Sequence, residues 1–299
     1  MLSVYNVPAT FFVDCAYLLR MRELKDKYPA LQKDYEDVVS NLKYLQKQGH
    51  SLQYHFHPQW LYSTYDDEGW HMDYDHYKLS DVEESKLRHD FKEGTMLLES
   101  ITGEKPVAFR AGGFSLTTCK YYIDLFQENG IFIDSSVNGG KVKSKLHEYD
   151  YSKAPKRTLW KFENDVNVPE ENGRFTEYSI TRVGRKKPGV FSFIKRYILK
   201  ARYHSTIEYC DGGGSEFSKF DTFKKYFPTL FRFSRGYMTM DIFYSCDLVK
   251  QYETVSKTDE NNLVVIGHPK HLSDGAINNI EIFIKRALKD GAIFCAINK

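Results

Sequence analysis

Short apolar segments alternate with amphipathic ones at both ends of the chain. The apolar segments are typical of buried strands and cover residues 7–13, 51–57, 106–111, 131–134, 263–266 and 292–297. Helical spacing of apolar residues predicts helices over residues 33–48, 80–101, 117–129, 247–255 and 276–290. Strand and helix in alternation predict right-handed βαβ crossovers, and therefore an α/β fold with a mostly parallel sheet or a (β/α) barrel.

The alternation breaks between residues 139 and 250. This part contains the glycine pair at 139–140 and the glycine triplet at 212–214, and it lacks the regular spacing of the flanking parts. We predict a single domain over residues 1–299, with a large insertion or elaborated connection at 139–250 that is partly loop.

Metal-binding or titratable side chains follow four of the predicted strands. In chain order these residues are His55 and His57, Arg110, Asp134 and His268. The carboxyl ends of parallel strands meet on one face of a β/α barrel, and active sites are built there. We therefore expect these residues to form one site.

The sequence His55-Phe56-His57 predicts a metal site. Side chains alternate along a strand, so histidines at i and i+2 point to the same face. Two neutral imidazoles and a carboxylate hold a divalent metal such as zinc with one coordination position open. The alternative is a pair of hydrogen-bonded structural histidines.

Metal-assisted hydrolysis is the chemistry that this set of residues supports. A metal polarises a carbonyl and activates a water, a carboxylate takes a proton from the water, and a histidine protonates the leaving amine. We assign the last role to His268, and the alternative is a capping or packing histidine before Pro269. Arg110 orients the base or forms a buried ion pair with Asp134. Asp134 supports the base or caps the turn that begins at Ser135.

Gly113 and Trp60 are candidate substrate-binding residues. The backbone N–H of Gly113 suits an oxyanion, and the ring of Trp60 suits the face of a sugar. An ordinary tight turn at Gly113 and core packing of Trp60 are the alternatives. The aromatic content of 15% fits a sugar-binding surface or an aromatic core.

Composition limits the possible binding partners and the cellular compartment of the protein. The net charge of +2 does not favour nucleic acid, and the chain lacks the run of about 18 apolar residues that a membrane-spanning helix needs. The five scattered cysteines favour a reducing cytoplasm, and the first ten residues predict no signal peptide. Residues 182–202 interleave basic and large apolar side chains, which predicts peripheral contact with the inner face of a membrane or with a lipid-linked glycan. A solvated basic face on a core-packed helix is the alternative.

The ordered motifs resemble the polysaccharide deacetylase family, the nodulation-factor deacetylase homology group within carbohydrate esterase family 4. The resemblance covers about residues 7–138 and 260–297, and the segments that carry it are Pro8 to Val13, Gly49 to His55, Phe109 to Gly113, Gly130 to Ser136 and Ile266 to Pro269. The variant with His57-Pro58-Gln59-Trp60 is closest to members from bacterial surface-polysaccharide clusters.

This resemblance implies a seven-stranded barrel and metal-dependent removal of an N-acetyl or other acyl group from a sugar of a bacterial surface polysaccharide or its precursor. The family spaces its metal histidines as H-x-x-x-H, but Gln59 is a poor ligand, so we place the second ligand at His57. Family members open with a strand that ends in two aspartates, whereas only six residues precede Val7 here. We therefore expect an N-terminally truncated barrel without the Asp-Asp motif. Two alternatives stay open, an inactive glycan-binding remnant and an amidase for a non-sugar amide.

Overall fold

The computed structural model describes residues 1–184, 235–272 and 274–297. The chain divides into two compact units, one formed by Met1–Ser179 with Phe294–Lys299 and the other by Ile180–Ile293. The predicted α/β class with a parallel sheet is confirmed in the first unit. The single domain over residues 1–299 stays a prediction.

The first unit contains ten strands and five α-helices among its described residues. The strands are β1 (Thr10–Asp14), β2 (Ser51–Phe56), β3 (Thr64–Asp66), β4 (Gly69–His71), β5 (Ala108–Ala111), β6 (Ile133–Asp134), β7 (Gly140–Lys143), β8 (Glu148–Tyr151), β9 (Leu159–Phe162) and β10 (Phe175–Tyr178). The helices are α1 (Cys15–Leu24), α2 (Pro29–Lys47), α3 (Gln59–Tyr62), α4 (Glu84–Thr102) and α5 (Tyr122–Asn129), with 3-10 turns at Leu2–Tyr5, Leu79–Asp81, Gly112–Phe114 and Leu116–Thr118.

Six strands form the main sheet in the order β1-β2-β5-β6-β10-β9. The first five are parallel, and β9 is antiparallel to β10. The part of the chain that the structure describes contains no closed barrel, so the barrel closure predicted from the sequence is not found there. Strands β9 and β10 belong to the region predicted as an insertion, and they extend the sheet beyond β6.

The core forms where the main sheet packs against α1, α2 and α4. Tyr54 and Phe56 of β2 are fully buried, and the ring of Tyr54 contacts Phe91 of α4 with centroids 4.6 Å apart. Phe91 in turn contacts Phe109 of β5 at 5.3 Å. The side-chain oxygen of Gln53 accepts hydrogen bonds from the backbone N–H groups that open β5. These hydrogen bonds link β2 to the start of β5.

The helix boundaries follow local capping chemistry. Pro29 opens α2, where its missing N–H costs nothing, and Gly49 takes a positive φ just after the helix. The side chain of Glu83 accepts from the backbone N–H groups of Ser85 and Lys86 at the start of α4. Between α3 and α4 the chain forms the β3–β4 hairpin.

The second unit is smaller than the first. Its elements are β11 (Arg182–Gly184), β12 (Arg235–Tyr237), α6 (Leu248–Val255), α7 (Asp274–Lys289) and the 3-10 turns Ile242–Asp247 and Pro269–His271. The strand predicted over residues 263–266 is reduced to one parallel bridge between Thr239 and Ile266. The strand predicted over residues 292–297 does not form within the described residues.

Two sequence predictions concern parts of the chain outside the described residues. The glycine triplet at 212–214 and most of the basic segment, residues 185–202, fall there. Among the helices that the structure describes, none combines the length and the apolar content needed to cross a membrane.

Candidate active site

Three neighbouring strands place polar side chains in one row at their carboxyl ends. The register pairs Asp14 of β1 with His55 of β2, and His55 with Arg110 of β5. In-register residues of parallel strands project to the same side of a sheet. The fold therefore brings a carboxylate, an imidazole and a guanidinium together at this edge of the sheet.

His55 is held in the tautomer that suits a metal ligand. Its Nδ1 lies 2.6 Å from the backbone carbonyl of Arg110, which can only accept, so Nδ1 carries the proton. Nε2 then has a free lone pair, and it makes no hydrogen bond with any residue that the structure describes. Burial, followed by repulsion from His57, lowers the pKa of His55 to about 3, so the ring is neutral at pH 7.

His57 is oriented by Asp14. The carboxylate of Asp14 accepts from the backbone N–H of His57 at 3.2 Å and from its Nδ1 at 2.8 Å. Nε2 of His57 is again left with its lone pair when the ring is neutral. Burial raises the pKa of Asp14, but the interactions with His57 outweigh it and leave that pKa below its usual value. The two imidazole rings meet edge to face with centroids 4.5 Å apart, and the side chains of His57 and Asp14 remain 23% and 20% exposed.

The two glycines after β5 are required by close contacts. A Cβ on Gly112 would lie 2.5 Å from Cδ2 of His57 and 2.6 Å from the carbonyl oxygen of Phe56. Gly113 has a φ of +57°, and a Cβ there would approach Tyr77 and His147 within 3 Å. The tight turn expected as the alternative for Gly113 is present, and a role for its N–H toward an oxyanion stays a prediction.

Arg110 and Asp134, although close in register, form no ion pair with each other. Arg110 donates from Nε to the carbonyl of Ser135 at 2.8 Å and from Nη2 to Ser135 Oγ at 2.7 Å. Its guanidinium also lies over the ring of Phe12, 4.3 Å from the centroid. These contacts keep Arg110 in the row of Asp14 and His55, and its charge interacts with those of Glu177 and Asp134.

Asp134 fastens the turn after β6. It is fully buried and accepts from Ser136 Oγ at 2.7 Å and from the Ser136 backbone N–H at 3.1 Å, while Ser136 Oγ accepts from the N–H of Ala111. This is the turn-capping contact expected as the alternative for Asp134. Its support of a catalytic base stays a prediction.

Glu177 of β10 forms a buried acid pair with Asp134. Both side chains are fully buried, and Glu177 Oε2 finds no donor among the described side chains, so the contact between the two carboxyl groups requires a proton. Burial, and then the charge of Asp134, raises the pKa of Glu177 well above its usual value. Burial also raises the pKa of Asp134. Both shifts favour a proton held between the two carboxyl groups.

Replacing Glu177 by glutamine is expected to make the first unit less sensitive to rising pH. The folded state holds the proton that the unfolded state releases above pH about 4.5, so the wild-type protein loses up to about 1.4 kcal/mol of stability per pH unit from there toward the folded pKa. The Glu177→Gln protein lacks this loss, so its stability advantage over the wild type grows as the pH rises above about 4.5. Urea unfolding followed by tryptophan fluorescence measures it, with exposed Glu171→Gln as control. Parallel pH profiles for Glu177→Gln and the wild type would contradict the shared proton.

Trp60 lies in a cluster of aromatic rings at α3. Its ring centroid is 4.4 Å from that of Tyr17 and 5.2 Å from that of Trp70. The ring is partly buried and packs against the hydrophobic core. The packing expected as an alternative is thus present, and a sugar contact by Trp60 stays a prediction.

His268, in the second unit, is paired with an aspartate that sequence reasoning missed. Asp241 accepts from the backbone N–H of His268 at 2.7 Å, and its other carboxylate oxygen lies 2.8 Å from Nδ1. Asp241 is buried, whereas the side chain of His268 is 43% exposed. The carboxylate fixes the Nδ1–H tautomer of an accessible imidazole, which is the arrangement of many proton-transferring histidines.

Three carboxylates near the predicted residues carried little signal in the sequence. Asp14 follows an apolar segment, which marks a strand end but not its partner, and the family resemblance gives it no role. Asp241 and Glu177 fall where the strand and helix rhythm is broken. The described residues hold no cluster of three or more histidine, cysteine, aspartate or glutamate side chains arranged for one metal ion. The sequence predicts two histidines and a carboxylate around one metal ion. The structure instead shows two imidazoles, one of which is hydrogen-bonded to the carboxylate of Asp14.

Fold and site together define a parallel α/β domain with two supported histidines at the carboxyl edge of its sheet. Residues 1–130 match the family model for polysaccharide deacetylase, so the family resemblance predicted from the motifs is confirmed over this part of the chain. No curated protein matches the sequence.

Three solved structures show a distant similarity to this chain. A structure described as a polysaccharide deacetylase from Mycobacterium smegmatis is 13% identical with a TM-score of 0.42, and the match covers 100% of this chain and 78% of that one. The Puue allantoinase is 13% identical with a TM-score of 0.43 over 99% and 66% of the two chains. A GH57 branching enzyme from Thermococcus kodakaraensis is 12% identical with a TM-score of 0.42 over 94% and 55%. The chain thus spans less than two thirds of the length of the last two.

Proposed function

We propose that this protein is a metal-dependent hydrolase that removes an N-acetyl or other acyl group from a sugar of a bacterial surface polysaccharide or its precursor. The observation that carries the proposal is the pair His55 and His57. In each ring the Nδ1–H group donates a hydrogen bond, and the lone pair of Nε2 remains available at the carboxyl edge of the sheet. The family match over residues 1–130 supports an amide hydrolase of the deacetylase type.

The two imidazoles fit a divalent metal, and zinc is the ion we favour. Histidine ligands of metals commonly donate their other ring N–H to a carbonyl or a carboxylate, as His55 and His57 do. When bound, the metal would act as a Lewis acid toward the acyl carbonyl and would lower the pKa of a water. Asp14 is in this scheme a positioning residue, because its carboxylate holds His57 by two hydrogen bonds.

The remaining roles belong to residues of this chain. Arg110 and Asp134 are proposed to support the catalytic base. The backbone N–H of Gly113 is proposed as an oxyanion donor. His268, oriented by Asp241, is proposed to donate a proton to the leaving amine.

We propose a glycan partner, free or lipid-linked, and no nucleic acid. The proposed location is the cytoplasm, including the inner face of the membrane, with residues 182–202 as the peripheral contact. We propose Trp60 as a sugar contact, because its side chain is only partly buried.

Metal content and acetate release from the purified full chain test this function. We expect about one zinc per chain, acetate release from chitooligosaccharides, loss of activity with a chelator and recovery with zinc. Hydrolysis of a simple amide such as acetanilide, without release from the sugar, would favour the amidase. Sugar binding without hydrolysis would favour the inactive remnant, and a protein that retains no metal would refute the metal site.

A further inference from the structure

The hairpin formed by β7 and β8 brings a third imidazole to the edge of the site. His147 lies just before β8, outside the segment that matches the family model. Its Nδ1 would lie 2.9 Å from a Cβ placed on Gly113. The same Cβ would be 2.8 Å from Cε1 of Tyr77. Both rings therefore pack closely against the backbone of Gly113.

Tyr77 connects His147 to the candidate metal ligands. The ring centroids of Tyr77 and His147 are 5.2 Å apart in an edge-to-face arrangement, and those of Tyr77 and His57 are 5.8 Å apart. Tyr77 is near enough to Asp14 for that charge to add to the effect of burial, which raises the pKa of Tyr77 to about 12. The two rings thus extend from His57 across Gly113 as a continuous wall.

The fold uses only part of the hydrogen-bonding capacity of these two rings. The hydroxyl of Tyr77 forms no hydrogen bond with any residue in the described part of the chain, and the ring is only partly buried. His147 is an exposed residue, and its ring hydrogen-bonds to the backbone of Gly113, which leaves one ring nitrogen for a ligand. Aromatic rings with an unused polar tip suit a ligand that offers both an apolar face and hydroxyl groups, as a sugar ring does.

We propose that Tyr77 and His147 form the substrate wall of the site and bind the sugar ring whose acyl group faces His55 and His57. This inference rests on the proposed function and goes beyond it, because it assigns sugar recognition to a hairpin outside the family match. The β7–β8 hairpin is then the element that sets which acylated sugar this chain accepts.

A KM and kcat comparison with tri-N-acetylchitotriose tests the wall. We expect His147→Ala to raise KM about tenfold or more, with kcat within about threefold of the wild type and the metal content unchanged. Tyr77→Phe, which removes only the hydroxyl, is expected to raise KM by a smaller factor. His76→Ala is the matched control, because His76 stacks on Tyr62 at 3.7 Å in the same region but away from Gly113.

Direct binding of the same trisaccharide, measured by calorimetry, separates this inference from the proposed function. If the wild type binds the sugar but releases no acetate, the proposed function fails, and a tenfold weaker Kd in His147→Ala still supports the wall. An unchanged KM and Kd in His147→Ala would overturn the wall even in an active enzyme. A wild-type protein that neither binds nor cleaves the trisaccharide would overturn both.

Discussion

Alanine at His57 is expected to abolish metal retention and to lower acetate release about a thousandfold, which corresponds to roughly 4 kcal/mol of transition-state stabilisation. His55 and His57 are the two imidazoles that we assign to the metal, so the loss of either removes half of the proposed histidine ligands. We expect His55→Ala to behave in the same way. Metal content after gel filtration and acetate release at saturating sugar measure the two effects.

Two further variants show whether the loss is specific. Asp14→Asn keeps the size of the side chain but weakens its hold on Nδ1 of His57, and we expect metal affinity to fall about 10- to 100-fold. His71→Ala is the matched control, because His71 also pairs with an aspartate, Asp66, at 2.8 Å, on the exposed β3–β4 hairpin. Stoichiometric metal in folded His57→Ala protein, checked by circular dichroism, would refute the ligand assignment.

The strands that position the histidines were predictable because their signal is local. Tyr54 and Phe56 alternate with His55 and His57, so one strand shows both its buried face and its polar face in consecutive residues. Strand β10 has no such signal. Its residue Glu177 is fully buried, as is Asp134, and burial raises the pKa of Glu177. No hydrophobic pattern in the sequence contains this buried pair of acids.

The carboxylates of the site depend on contacts between residues that are distant in the chain. Asp14 meets His57 only because β1 and β2 pair in the register that sets Asp14 beside His55, across 43 residues of sequence. Asp241 meets His268 across 27 residues, from a region where the pattern predicts no element. The sequence therefore predicts the imidazoles, whereas the partners that fix their tautomers emerge only from strand register and tertiary contact.

Alanine at His268 is expected to lower kcat for amide substrates by about 10²- to 10⁴-fold, with KM and metal content little changed. An amine leaves an amide only when its nitrogen is protonated, and we assign that proton to His268. Asp241 fixes the tautomer of His268, so Asp241→Asn is expected to lower kcat by at least about tenfold. Steady-state kinetics of acetate release measure both variants, with His71→Ala as the control histidine.

The leaving group decides between proton donation and a structural role for His268. An activated aryl ester such as p-nitrophenyl acetate releases a stable phenolate and needs no protonation, so His268→Ala is expected to hydrolyse it at a rate near that of the wild type. A purely structural defect would lower amide and ester hydrolysis by the same factor. Equal losses on both substrates, or unchanged amide turnover, would refute His268 as the proton donor. A loss confined to the amide would assign the donor to the His268–Asp241 pair. His71→Ala removes a histidine of the same pairing and is expected to leave both rates intact.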